Sequence, residues 1–273
     1  MTQRDIDRAS LTYYREQLAI SAGLVEAVVR WWRSLSWRAV QTDHVELWGH
    51  YRDIVNECRT RSFDAGREYY NEVRELATDH RLTLGGGDRD AEAEEREAAA
   101  SFFTHTAPIA REIQRGRLDD PDFLAELDSV MRRVGTNLAR DGARLAEQGG
   151  RDALREAREN DDECIGYYRM TDANPCGFCA MLASRGLVYT ETRNASRRTR
   201  TWVDDQDPDQ YHPDCHCQTL PLFRGVAMPA NDRRKAEEYE RIWRNTPGSG
   251  AEQLKNFRDR FDADRRSRRT ANG

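Results

Sequence analysis

The chain has 273 residues, of which 33% are charged against a usual ~25%, with a formal net charge of −5 and a mean hydropathy of −0.92. That composition excludes a helical membrane protein: the strongest early apolar run, "GLVEAVV", is broken by Glu26 and stopped by Arg30, far short of the ~20 residues a span needs. It also limits how much apolar surface each residue can bury, so long exposed helices, or faces completed by a partner, are expected.

The N-terminal "MTQRDIDRAS" has no apolar signal-peptide core, so the chain is expected to be made in a reducing cytoplasm. From Leu11 the apolar positions Leu11, Tyr14, Leu18, Val25, Val28, Trp32 and Leu35 form one helical stripe close to a heptad. Trp31, Trp32 and Trp37 exceed what one seam needs and leave room for a partner-binding face. Helices over 45–77 and 98–117 are the candidates to cover the stripe. The stretch "TLGGGDRDAEAEERE" (83–97) between them reads as an exposed flexible loop.

In "DDPDFLAEL", Asp120 is a candidate N-cap and Pro121 the first helical residue. The helix that follows should bury Phe123, Leu127, Val130, Val134, Leu138 and Leu145, while Ala139, Gly142 and Ala146 let a neighbouring helix approach closely. Residues 1–164 therefore read as a helical domain.

The character changes after Asn160. "YYRMTDANP" reads as a helix end and a loop. Prolines then recur at 175, 208, 213 and 221, and "GLVYT" (186–190), "RTWVD" (200–204) and "QTLPLF" (218–223) are the candidate strands. Beyond Pro229 helices return, divided by "NTPGSG" (245–250), and the closing "DADRRSRRTANG" is expected to be disordered. The fold class is mainly α: a helical domain over 1–164, a small α+β module over 165–226, and a charged helical tail over 227–273. Charge follows this division, with a net of −9 over 1–184 and +4 over 185–273.

Chemistry concentrates in the module. Of the six cysteines, Cys58 and Cys164 are isolated and read as small core residues. Cys176-Gly-Phe-Cys179 is a C-x2-C turn, and His212, Cys215 and Cys217 follow after a 32-residue excursion. In a reducing compartment clustered thiols favour metal or redox chemistry over structural disulfides. Two thiolates two residues apart can grip one tetrahedral ion, the second group supplies the remaining ligands, and soft sulfur suits Zn²⁺. A structural zinc would supply folding energy to a module with little apolar mass. Five candidate ligands, with His216 beside them, compete for four places, and spacing does not choose among them.

Two enzymatic readings are weaker. "HVE" at 44–46 with "PCGFC" matches both halves of a zinc deaminase, but the first half sits about 130 residues upstream in a helical domain. A redox C-x-x-C needs a preceding buried strand in a βαβ unit, which this reading does not supply. No hydrolase elbow surrounds Ser184, and neither a P-loop nor a dinucleotide fingerprint occurs. His50, His80 and His105 stand alone on helices.

The runs Cys176 through Tyr189 and His212-Pro213-Asp214-Cys215-His216-Cys217, the latter ending in Leu220, Pro221 and Phe223, resemble the MuF-like minor head proteins of tailed bacteriophages, actinobacteriophages in particular. His216 stands where that pattern usually has arginine. The resemblance covers roughly residues 165–225. It implies a virion protein inside the capsid, made in the bacterial cytoplasm and bound to the portal. It also implies a role in head assembly, DNA packaging or ejection, with the major capsid or scaffolding protein as further partners. Similar modules are labelled capsid maturation protease, yet no protease site is visible, so a non-enzymatic role is expected. The alternatives are a protease or other thiol or zinc enzyme, and a cellular zinc-dependent nucleic-acid-binding protein. Arg193, Arg197, Arg198 and Arg200, inside the excursion, could neutralise phosphates of packaged DNA without reading sequence, against a bland reading as a solvated loop.

Overall fold

The computed structural model describes residues 3–83, 90–116, 120–173, 175–186 and 215–271. Among these the chain forms eight helices and one two-stranded sheet: α1 (Gln3–Arg33), α2 (Trp37–Thr42), α3 (His44–Thr78), α4 (Ala91–Arg115), α5 (Pro121–Glu159), β1 (Cys164–Met170), α6 (Gly177–Ala183), β2 (Gln218–Phe223), α7 (Ala230–Arg244) and α8 (Gly250–Ala271). The fold is mainly α with a small α+β module. No helix among the described residues is long and apolar enough to cross a membrane.

Two compact units share these elements. One comprises Met1–Arg15, Gly66–Gly85 and Arg151–Gly273, the other Glu16–Ala65 and Gly86–Gly150. The ends of α1, α3 and α5 group with the sequence-distant module in the first of these units.

The helical unit is built around Leu24, Val28, Trp32, Tyr51, Val55, Phe102, Ile109, Leu127, Leu138 and Leu145, all buried. Two large aromatics satisfy their polar atoms inside it: Trp32 Nε1 donates to Met131 O at 2.8 Å, and Tyr51 Oη donates to Leu138 O at 3.2 Å. Asp120 takes up the expected capping position, its Oδ1 accepting Asp122 N–H at 3.0 Å. The α1 stripe differs from expectation. Leu11 is 41% exposed and Tyr14, Leu18 and Val25 are half-buried, whereas Ser10, Gln17 and Ser21 are buried in line with Tyr13, Ile20 and Leu24. Hydrogen bonding explains the shift. Ser62 Oγ donates to Gln17 Oε1 at 2.6 Å and Gln17 Nε2 to Ser62 O at 3.2 Å, so these polar groups go inside at little cost.

The expected loop over 83–97 is corrected in its second half. Asp90 Oδ1 caps α4 by accepting Ala93 N–H at 2.9 Å, and residues 91–97 are helical. Glu94 and Glu97, read as part of a solvated charge run, face the buried Arg59 at 3.4 Å and 3.0 Å.

In the other unit Tyr13 stacks on Tyr69 at 4.5 Å and Tyr70 meets Phe223 edge-on at 5.5 Å. Strands β1 and β2 are antiparallel, with Tyr168 opposite Leu220 and Met170 opposite Gln218. The C-terminal segment is no free tail. Tyr239 of α7 and Phe257 of α8 are buried against Ala180, Met181, Leu182 and Ala183 of α6, and the backbone stays helical to Ala271 where disorder was expected. Phe257, Leu254 and Phe261 anchor α8, and Lys255 pairs with Asp259 at 2.6 Å along its exposed side.

Candidate metal centre

The site is assembled from three short pieces. Cys176 is the N-cap of α6 in an extended conformation, its Sγ accepting the Cys179 amide at 3.4 Å, so the C-x2-C turn is closed by sulfur itself. Gly177 follows because a Cβ there would lie 2.7 Å from the Arg258 Cα of α8, and its amide donates to Asp262 Oδ1 at 3.2 Å. Cys215 and Cys217 lead directly into β2, whose residues are all buried.

These pieces bring Cys176, Cys179, Cys215 and Cys217 into one buried cluster, 8%, 0%, 4% and 1% exposed. The sulfurs of Cys179, Cys215 and Cys217 all lie within 4.8 Å of one another, and Cys179 Sγ is 3.3 Å from Cys215 Sγ. All four are free thiols, as are Cys58 and Cys164. A tetrahedral ion with metal–sulfur bonds of about 2.3 Å sets neighbouring sulfurs about 3.8 Å apart, so the trio needs only small shifts to close on one. The cluster of Cys179, Cys215 and Cys217 can hold a metal ion.

Two buried arginines meet the cluster. Arg151 of α5 donates from Nη2 to Cys215 O at 2.8 Å and to Cys217 O at 3.3 Å, tying down the C-x-C segment. Arg169 of β1 reaches Cys179 Sγ from Nη1 at 3.6 Å. Hydrogen bonds from the Cys179 and Cys217 thiols, reinforced by the Arg151 charge, hold the Cys215 thiol well below its ordinary range. Burial instead pushes Cys58 and Cys164 up, in keeping with inert core residues.

β1 is the element that sequence reading missed, having assigned "YYRMTDANP" to a helix end and loop. Its burial pattern breaks alternation because Arg169 goes inside beside sulfur, and a buried arginine is not a strand signal. A strand thus does precede the C-x-x-C turn, but it pairs antiparallel with β2 and not within a parallel βαβ unit. Near-complete burial of Cys179 is also the opposite of a reactive thiol.

The remaining candidates resolve unevenly. His212, Arg193, Arg197, Arg198 and Arg200 lie outside the described residues, as do the expected strands over 187–190 and 200–204. His216 is half-buried between two buried cysteines. His44 of the deaminase-like "HVE" has a structural setting in the helical unit, with Nε2 3.1 Å from Thr106 Oγ1 and its ring 5.3 Å from Phe102. His105 faces Asp141 at 3.6 Å, and His50 packs on Trp31 at 4.9 Å. Ser184 spends its hydroxyl on Met181 O at 2.7 Å at the end of α6.

No curated protein and no solved structure matches the chain. The family model described as VG15 protein does match, over residues 2–246, and so takes in both cysteine pairs, both strands and the helices ahead of them. That family is one of viral and phage gene products. The chain belongs to the VG15 protein family and is a phage protein.

Proposed function

We propose that the protein is a minor capsid protein of a tailed phage. It binds the portal inside the head, assists assembly, DNA packaging or ejection by contact and not by catalysis, and holds its C-terminal module together with a structural zinc ion. The observation that carries this reading is the buried meeting of Cys176 and Cys179 with Cys215 and Cys217. Two cysteine pairs more than thirty residues apart in sequence meet in one buried cluster of a phage-family chain, which supports a shared metal.

Zinc bound there would act as a cross-link between the α6 turn and the β2 entry. Its free energy of binding would be folding free energy, because thiols scattered along an unfolded chain form no such site. A site filled by protein ligands offers no open coordination position for substrate or water, which supports a structural over a catalytic role. Arg151 would fix the carbonyls of the C-x-C segment so that both sulfurs turn inward. Arg193, Arg197, Arg198 and Arg200 would contact phosphates of packaged DNA without sequence preference.

The test has two parts. Mass spectrometry of purified virions should find the chain in DNA-filled heads, and the purified protein should retain the portal protein in a pull-down. Inductively coupled plasma mass spectrometry should find one zinc per chain in wild type and less in Cys179→Ser. Absence from particles, with abundant protein in infected cells, would overturn the virion role whatever the metal result.

A further inference from the structure

The spacing of ligands leaves five candidates, Cys176, Cys179, His212, Cys215 and Cys217, for four places. We infer that the ligand set is the four cysteines alone, with no ligand required from His212, and that the guanidiniums of Arg151 and Arg169 stabilise the resulting tetrathiolate. The inference rests on the structural-metal reading proposed above and deepens it.

Three observations converge. First, the sulfurs of Cys179, Cys215 and Cys217 lie within 4.8 Å of one another, and Cys176 shares their buried cluster with its Sγ accepting the Cys179 amide at 3.4 Å. Four sulfurs fill a tetrahedral ion, and a closed four-coordinate site has no place for a fifth donor. Second, exposure alternates across the second pair: Cys215 and Cys217 are buried while His216 between them is half-buried. Burial of both cysteines around a less buried residue places both sulfurs where they can reach one ion.

Third, positive charge is held against the cluster. Each ligating thiol gives up its proton to solvent as its metal–sulfur bond forms, so four thiolates around a divalent ion leave two negative charges in excess, and three with a neutral imidazole leave one. A buried net charge is costly unless it is paired and hydrogen-bonded. Here Arg169 Nη1 stands 3.6 Å from Cys179 Sγ, and Arg151 donates at 2.8 Å and 3.3 Å to the backbone of the other two cysteines. Arg151 and Arg169 are 3% and 6% exposed. Two buried guanidiniums held against the cluster stabilise the thiolates that a four-sulfur site requires. Both arginines are positioning residues, since neither would touch the ion.

The experiment uses the full-length chain loaded with cadmium-113 and with cobalt(II) in place of zinc. The cadmium resonance moves downfield with each additional thiolate, and the cobalt ligand-field and charge-transfer bands report the same count. The wild-type spectra should be those of four sulfurs. His212→Ala should keep one zinc per chain and unchanged cobalt bands, whereas Cys176→Ser should lose metal or shift the bands. Competition with a chromophoric chelator should show at least tenfold weaker zinc binding in Arg151→Met and Arg169→Met, with partial recovery in the lysine variants that keep the charge. A wild-type spectrum of three sulfurs and one nitrogen, with metal lost in His212→Ala, would overturn the inference while leaving the metal centre standing. A wild-type chain that binds no zinc would instead overturn the metal reading itself. The wild-type spectra decide the ligand count even if a cysteine variant fails to fold.

Discussion

Asp232 is a carboxyl group whose place in the fold sets two effects against each other. It lies in the first turn of α7, where a negative charge is favoured by about 0.3 to 1 kcal/mol, yet it is only 5% exposed. Burial wins, aided by the nearby Asp7 and only partly opposed by Lys235, and pushes the group up to about 6. A folded pKa above the unfolded one means that the fold prefers the protonated form. The stabilisation is fully present below about pH 4 and is lost as the pH rises through about 6. Asp232→Asn should therefore stabilise the chain by about 1 to 2 kcal/mol at pH 7.5 and flatten the change in thermal midpoint between pH 4 and 6. A variant whose midpoint follows pH as steeply as wild type would sink this account. Gly149 makes a second prediction at the same scale. A Cβ there would stand 2.2 Å from the backbone oxygen of Arg59, so the α3 and α5 backbones would have to separate. Gly149→Ala should cost about 2 to 3 kcal/mol, read as a lower urea midpoint at unchanged slope.

At the scale of elements, α4 shows how neighbouring residues divide between structure and surface. Phe102 is fully buried against His44, Trp48 and Tyr51, while Phe103 remains 43% exposed. Phe102→Ala should destabilise by about 3 to 5 kcal/mol, and Phe103→Ala by less than about 1 kcal/mol. Equal losses in chemical denaturation would mean that α4 packs in a different rotation. Helix existence was legible here from apolar spacing, and α5 began where Asp120 and Pro121 said it should. The start of α4 was not, since three glycines followed by alternating charges look like a loop until the buried Arg59 supplies partners for Glu94 and Glu97. The same limit hid β1. Its inward Arg169 is explained only by sulfur that arrives ten residues later in the chain.

For the whole molecule, removal of the proposed metal is the sharpest perturbation. The helical unit buries its own apolar core, whereas the segments around the thiols rely on the cysteine cluster and on α7 and α8 covering α6. Chelation under reducing conditions should strip hydrogen-exchange protection from residues 164–183 and 215–223 first, and leave the amides around Leu24, Tyr51 and Leu138 protected. Simultaneous loss at both places would show that the cluster supports the entire chain.

What the sequence by itself determined is what short-range chemistry determines. The apolar period selects helices, proline and an acidic cap place the start of α5, and a C-x2-C turn with a C-x-C segment announces a metal-capable group. Only the tertiary structure decided which polar residues go inside. Gln17 is buried because Ser62 meets it, Arg59 because two glutamates meet it, and Arg169 because Cys179 meets it. It also decided that the C-terminal helices cover α6 and do not trail away. The physical reason is common to all of these. Burying a polar or charged group is permitted only by a partner, the partners here lie from ten to forty-five residues away, and no local pattern records which distant group the fold will bring.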